Sequence, residues 1–173
     1  MKPAKTFAEI ALAYHDAIHA ARRASVDAEP EAQLTTPVGE LLKAVAQHAG
    51  LGEIEPIREA RLVGVRPDLA IAHVSRGNRR LQGYVELKKP ELPVDTSLWS
   101  GRNLVQWDKL KLQAEVLIIC NGRSARLYFN GEPVGEDATL PYQNPQAWDA
   151  GGLMTLLRRF LEAKPRPITS VPE

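Results

Sequence analysis

Between Arg66 and Lys88 the chain carries Pro67-Asp68 at one end and Glu86-Leu87-Lys88 at the other, and the residues between them can fold back as a hairpin. Leu69 to Val74 reads as one strand and Leu81 to Leu87 as a second, with Ser75-Arg76-Gly77-Asn78 as a polar, glycine-containing turn. A tip centred on Gly77 puts Asp68 directly across the ladder from Glu86. Side chains alternate along a strand, so Glu86 and Lys88 share one face while Val85 and Leu87 take the other. Leu69 and Ile71 then fall opposite Val85 and Gly83, on the apolar side. Such a hairpin has an apolar underside and a polar edge of aspartate, glutamate and lysine. That edge has the makings of a divalent-metal site with a basic neighbour.

The rest of the chain predicts a mixed α/β domain around this hairpin. Residues Phe7 to Arg23 carry apolar side chains at helical spacing (Ile10, Ala11, Tyr14, Ile18, Ala21) and end in basic residues. Ser25 to Gln33 is acidic, contains Pro30 and reads as a loop. A second helix opens with Thr36 as cap and Pro37 at the first helical position, and stops at Gly50 and Gly52. Glu55 to Val65 loosely alternates, as the first strand of a meander that continues into the hairpin. Pro90 to Gly101 is a loop, after which Asn103 caps a third helix with Leu104, Trp107, Leu110 and Leu112 turned inward. Val116 to Cys120 is a continuous apolar run and therefore a buried strand. Asn121-Gly122 is a tight turn, Ala125 to Phe129 the returning strand, and a Pro-rich loop leads to a last helix from Gly152 to Ala163. The expected order is helix, helix, three strands, helix, strand, strand, helix: a mixed sheet flanked by helices.

Composition narrows the function classes. A chain of 173 residues with 44% apolar and 25% charged residues suits one globular domain, and no apolar run approaches a membrane span. The charged start leads into an amphipathic segment, not a signal peptide. The single Cys120 excludes an intrachain disulfide and suits a reducing cytoplasm, the expected location. A net charge of +1 leaves nucleic-acid binding to local basic clusters or to a partner domain. His15 and His19 have four-residue helical spacing but no third ligand nearby, and read as helix polar residues. There is no Gly-x-Gly-x-x-Gly, no Walker loop, and no Asn/Asp-Pro-Pro-aromatic motif of an adenine methyltransferase.

The hairpin edge suits phosphodiester hydrolysis, which needs a nucleophilic water, a stabilised anionic transition state and a neutralised leaving oxygen. Mg²⁺ (with Mn²⁺ as a substitute) supplies much of this and prefers a few carboxylates plus retained waters. Asp68 and Glu86 offer hard oxygen ligands, the Leu87 carbonyl a third, and Lys88 a charge for the attacking water or the phosphate. The competing reading makes Glu86 and Lys88 a cross-strand salt-bridged surface. Likewise Arg76, Arg79 and Arg80 at the hairpin tip either neutralise phosphates or form a solvated turn.

The Pro-Asp and Glu-x-Lys arrangement resembles the PD-(D/E)xK nuclease superfamily. It is more closely similar to the amino-terminal nuclease domains of restriction-modification enzymes with a downstream adenine methyltransferase, of the Type ISP and Type IIG kinds. The motifs are Gly83-Tyr84-Val85-Glu86-Leu87-Lys88-Lys89-Pro90, then Gln106-Trp107 with Leu110, then Asn121-Gly122 and Leu127-Tyr128. They cover roughly residues 31 to 131. The resemblance implies a restriction-endonuclease-like core in which Asp68 and Glu86 hold the metal, Lys88 is the catalytic lysine and Gln106 lies near the scissile phosphate. It also implies an acidic residue on or before the helix preceding the meander, for which Glu31 and Glu40 compete and Glu40 is preferred as the more rigidly held. The family's aromatic- and glycine-rich loop after the lysine is altered here, from Glu91 to Arg102.

By this likeness the chain divides into a leading helix and loop (1–30), a nuclease-like domain (31–163) and a Pro-rich linker (164–173) to a further domain. The expected function is Mg²⁺-dependent cutting of double-stranded DNA in restriction of foreign DNA, with covalently linked methyltransferase or helicase domains and no membrane. The rival expectation is a nuclease-like fold that has lost catalysis and only binds nucleic acid or a partner domain.

Overall fold

A computed structural model of the chain describes residues 5–24, 30–58 and 60–164. Ten regular elements follow in order: α1 (Phe7–Ala24), α2 (Thr35–His48), β1 (Glu53–Arg58), β2 (Leu69–Ser75), β3 (Asn78–Leu87), α3 (Gly101–Gln113), β4 (Val116–Cys120), β5 (Ser124–Phe129), β6 (Glu132–Thr139) and α4 (Gly151–Glu162). The strands form one six-stranded sheet in sequential order. All neighbours are antiparallel except β3 and β4, which run parallel and are joined by the α3 crossover. The Pro-rich tail beyond Lys164 and most of the acidic loop after α1 lie outside the described residues.

Next to the site the central hairpin has the expected register, while toward the tip it is offset by one residue. Leu69 pairs with Val85 and Ile71 with Gly83, and the turn closes at Ser75 and Asn78 with Arg76 (φ 50°) and Gly77 (φ 78°) both left-handed. Two left-handed turn residues match the right-handed twist of the flanking strands, which is why glycine sits there. One irregularity was not expected. The register shifts between Ile71 and Ala72, leaving Gln82 as the extra residue of β3. Its buried side chain turns toward α4, where Nε2 donates to the carbonyls of Phe160 (2.6 Å) and Ala163 (2.7 Å). The bulge thus satisfies carbonyls that the end of α4 leaves open.

Alternation along the strands gives the sheet two cores. On one face Val85, Leu87, Ile118 and Cys120 pack under α1, α2 and α4, with Ile10, Tyr14, Ile18, Leu42 and Phe160. The leading helix therefore shares the main core with the rest of the chain. On the other face Leu117, Ile119 and Tyr128 pack against Trp107 and Leu110 of α3. Burial also pushes the Cys120 thiol up to about 12, so this sulfur is an apolar packing group and not a nucleophile.

Four expectations are corrected. The stretch from Glu132 to Thr139 is a sixth strand, not a loop; it is an edge strand, where Pro133 and Gly135 lose little because one side of the ladder faces solvent. The strand expected to run from Glu55 to Val65 ends at Arg58, and Leu62 and Val65 form only an isolated bridge. Thr36 lies inside α2, which starts without a side-chain cap. Asn103 lies in the first turn of α3 rather than at its cap, and Leu104 and Leu112 point to solvent, because α3 needs only Trp107 and Leu110 to cover the smaller core.

The tightest packing lies at Gly83. A Cβ there would stand 2.6 Å from the Val116 carbonyl oxygen and 2.8 Å from Phe160 Cε2. Gly83→Ala should therefore cost about 1–3 kcal/mol by overpacking, read as a lower urea midpoint at unchanged slope. Gly152→Ala, whose added methyl meets only Ala138 at 3.7 Å, is the control and should hold the midpoint or raise it slightly, since alanine is the better helix former.

Candidate metal and catalytic centre

The centre forms where the β2–β3 ladder runs out. Continuing the observed register two residues past Leu69 and Val85 brings Pro67 opposite Leu87 and Asp68 opposite Glu86. Proline has no N–H to donate to the Leu87 carbonyl. The Leu87 N–H is taken by the Asp68 carboxylate, whose Oδ2 accepts at 2.7 Å. Since N–H and C=O of one residue lie on the same edge of a strand, the Leu87 carbonyl opens toward Asp68 as well. The Pro-Asp pair therefore ends the ladder and leaves acceptors at its end. On the opposite side β3 is held rigidly, because Lys88 N–H donates to the Cys120 carbonyl of β4 at 2.9 Å.

Glu86 and Lys88 project to the α3 face and are almost fully covered, at 3% and 5% exposure. Buried charges survive only with partners, and α3 provides them. Gln106 Nε2 donates to Glu86 Oε1 at 2.6 Å, and its Oε1 accepts from Lys88 Nζ at 2.6 Å. Lysine can only donate and a carboxylate only accept, so these two bonds fix the amide's orientation. Asn103, one helical turn earlier, accepts from Lys88 at 3.2 Å, and Glu86 Oε1 stands 3.5 Å from the same ammonium. The Lys88 ammonium also lies 5.3 Å from the centre of the Trp99 ring, within cation–π range. Trp99 is itself locked by donating its indole N–H to the Pro93 carbonyl at 2.7 Å.

One atom in this network lacks a donor. Glu86 Oε2 is buried with no hydrogen-bond partner among the described residues. Burial, and then the charge of Asp68, push the Glu86 carboxyl up to about 8, against the opposing pull of Lys88 and Gln106. Asp68 is also raised, chiefly by burial, although the Leu87 N–H and Lys88 favour its charged form. Two carboxyls that resist ionisation together, beside an unsatisfied oxygen and an open carbonyl, are a donor set that a hard divalent cation would satisfy. Among the described residues no three His, Cys, Asp or Glu side chains form a group that could hold a metal ion, so an ion here would need the Leu87 carbonyl and water beside Asp68 and Glu86.

The structure brings Asp68, Glu86, Leu87, Lys88 and Gln106 together and leaves Glu40 out. Glu40 is exposed and lines a groove between α1 and α2 with Lys5, Pro37, Leu41 and Lys43, on the far side of the sheet. The helical spacing that turns Val38, Leu41, Leu42 and Val45 inward turns Glu40 away. The acid whose charge raises Asp68 is Glu31, the alternative from the turn before α2. Asn103 and Trp99 were missed as partners of Lys88. For Asn103 there was a signal, because it precedes Gln106 by three residues and shares its helix face; Trp99 sits in a loop and offered none. The tip arginines are elsewhere: Arg79 pairs with Glu55 at 3.0 Å and Arg80 donates to Gln82 at 2.8 Å. Seven strand residues, roughly 23 Å, separate Arg79 from Glu86. The two helix histidines behave as read, with His19 against the Tyr142 carbonyl and His15 beside Asp16.

No family model and no curated protein matches this sequence. Solved structures do match the fold. One is a chain of the cryo-EM structure of a DrdV–DNA complex, with a TM-score of 0.60 and 20% identity over 92% of this chain. The matched region is only 14% of that much longer chain. The architecture is accordingly α+β, a mixed six-stranded sheet flanked by helices, consistent with the restriction-endonuclease-like core that the motifs implied. No helix among the described residues is long and apolar enough to cross a membrane.

The raised Glu86 sets a pH dependence. The folded chain keeps this proton up to about 8, whereas the unfolded chain releases it near the ordinary glutamate value of about 4.3. Between those limits the folded state binds more protons, so stability falls as pH rises. In EDTA, thermal unfolding should show wild type losing ground between pH 5 and 9 relative to Glu86→Gln. A gap between the two proteins that is constant across that range would contradict the assignment.

Proposed function

We propose that this chain is a divalent-metal-dependent DNA endonuclease module, with Mg²⁺ as the working ion and Mn²⁺ a substitute. The observation that carries the reading is the buried, donorless Oε2 of Glu86, in a carboxyl that lies beside Asp68 and whose other oxygen stands 3.5 Å from Lys88 Nζ. Asp68, Glu86 and the Leu87 carbonyl would hold the ion, with Glu31 a further acid whose charge reaches Asp68. The ion would lower the pKa of a bound water and offset charge on the phosphate.

The remaining work falls to the chain's own residues. In hydrolysis a water oxygen adds to phosphorus, one P–O ester bond breaks, and negative charge builds on the non-bridging oxygens. Lys88 is the cation positioned to meet that charge, held at the strand end by Gln106 and Asn103 and shielded from water by Trp99. Gln106 acts as a positioning residue, since both of its amide atoms are committed to Lys88 and Glu86. Because the preorganised network is packed between β3 and α3, little reorganisation accompanies the reaction.

DNA as the substrate rests on the motif resemblance and is supported by the likeness to a chain solved with DNA. The same considerations favour a role in restriction, as one module of a larger protein with methyltransferase or helicase parts. The rival reading keeps the fold and drops the ion, so that Glu86 and Lys88 are merely a buried pair.

Plasmid nicking in Mg²⁺ tests the enzyme. Asp68→Ala and Lys88→Ala should each lower the nicking rate by about 100-fold or more. Gln106→Leu should lower it by roughly 10- to 100-fold at near-normal DNA affinity. Equal cutting by wild type and the Asp68 and Lys88 variants would refute the assignment. Calorimetric titration with Mn²⁺ separates the rival, because a lost site gives no heat that depends on Asp68 and Glu86.

A further inference from the structure

Beside the catalytic cluster lies a cleft of about 460 Å³, lined by Gly64, Val65, Arg66, Arg102, Val105, Gln106 and Lys109. It shares Gln106 with the centre, the residue that bridges Lys88 and Glu86. Its polar lining is Gln106 and three cations, and no carboxylate lines it. The ion-paired lysines and arginines lie elsewhere: Arg79 with Glu55, Lys88 with Glu86, Lys111 with Asp108 and Arg126 with Asp137. Arg66, Arg102 and Lys109 are exposed and have no acidic partner among the described residues.

The walls are fixed by packing. Val65 is buried against the smaller core, and Leu62 packs beside it. The Gly64 turn between them is closed by the Leu62–Val65 bridge and tied to α3 by Gln113, which donates to the Val63 carbonyl. On the α3 side, Arg102, Gln106 and Lys109 follow at helical spacing along one face. Arg102 sits in the first turn, which carries no acid and no side-chain cap. A cation there opposes the helix dipole, and an anion in the cleft would relieve that repulsion.

We propose that this cleft seats the backbone phosphates that neighbour the cut phosphate on the same strand of duplex DNA. The inference rests on the endonuclease reading and extends it to how the substrate is held. Geometry sets the reach. Arg66 precedes Asp68 by two residues, roughly 6–7 Å of extended chain. Arg102 and Lys109 stand about 10 Å apart along the axis of α3. A row of that length is on the scale of a few successive phosphates of one strand. It also explains how a chain with a net charge of +1 can engage DNA: the attraction is local.

The test is equilibrium binding of a short fluorescent DNA duplex by anisotropy, in EDTA so that nothing is cut, over a series of salt concentrations. Arg66→Ala, Arg102→Ala and Lys109→Ala should each weaken binding several-fold and reduce the slope of log affinity against log salt by about 0.9. The triple variant should lose the sum, while Arg66→Lys and Lys109→Arg keep wild-type slopes and Arg76→Ala at the hairpin tip changes nothing. A triple variant that binds with wild-type affinity and slope overturns the proposal, even if Asp68→Ala and Lys88→Ala abolish nicking as the endonuclease reading requires. Wild type without salt-sensitive binding overturns it too, as would variants that weaken an RNA duplex and spare DNA. Loss of binding with normal nicking dependence on Asp68 and Lys88 supports both readings; loss of binding without that dependence supports the cleft alone.

Discussion

Everything distinctive in this molecule depends on a glutamate that its surroundings do not allow to ionise easily. Glu86 is enclosed between the end of β3, the carboxylate of Asp68 and the polar turn of α3. Burying a carboxylate is costly unless hydrogen bonds or counter-charge offset it. Here Lys88 and Gln106 offset only part, and one oxygen is left unsatisfied. Two things can meet such a group: a proton held between Glu86 and Asp68, or the cation of the proposed function.

The sheet makes that enclosure possible through its one parallel pairing. Running β4 parallel to β3 forces a crossover, and the crossover helix α3 is delivered onto the face that carries Glu86 and Lys88. An antiparallel partner joined by a tight turn would have left that face without a helix. The opposite face is covered by α1, α2 and α4 and holds the larger core. The fold thus divides its labour: one face supplies stability, and the thinner face can tolerate buried polar groups beside Trp107 and Trp99. The small size of that second core also accounts for the exposure of Leu104 and Leu112 on α3.

Much of this was legible in the chain. Alternation from Leu69 to Leu87 and a glycine at the turn are local signals, and together they mark the two strands and their turn. Helical spacing placed α1, α2 and α4 within a residue or two, and a continuous apolar run marked β4. Illegible features were those whose stability comes from distant contacts. β6 is poor in apolar residues and contains proline and glycine, and it forms because β5 offers an unpaired edge. The bulge at Gln82 exists because α4 ends above it. Glu40 and Glu31 were indistinguishable by spacing, since the choice depends on how the α2 entry turn meets the end of β2.

What the amino-acid sequence determined alone was the two strands, their turn and their polar edge; the two-residue turn by itself would set Leu69 opposite Tyr84, and the bulge at Gln82 shifts it to Val85. The tertiary structure decided the chemical state of that edge. Only the docking of α3 buries Glu86, aims Gln106 and Asn103 at Lys88, and opens the basic cleft beside them. Desolvation is a property of what surrounds a group, and nothing in the order of residues along a strand specifies it.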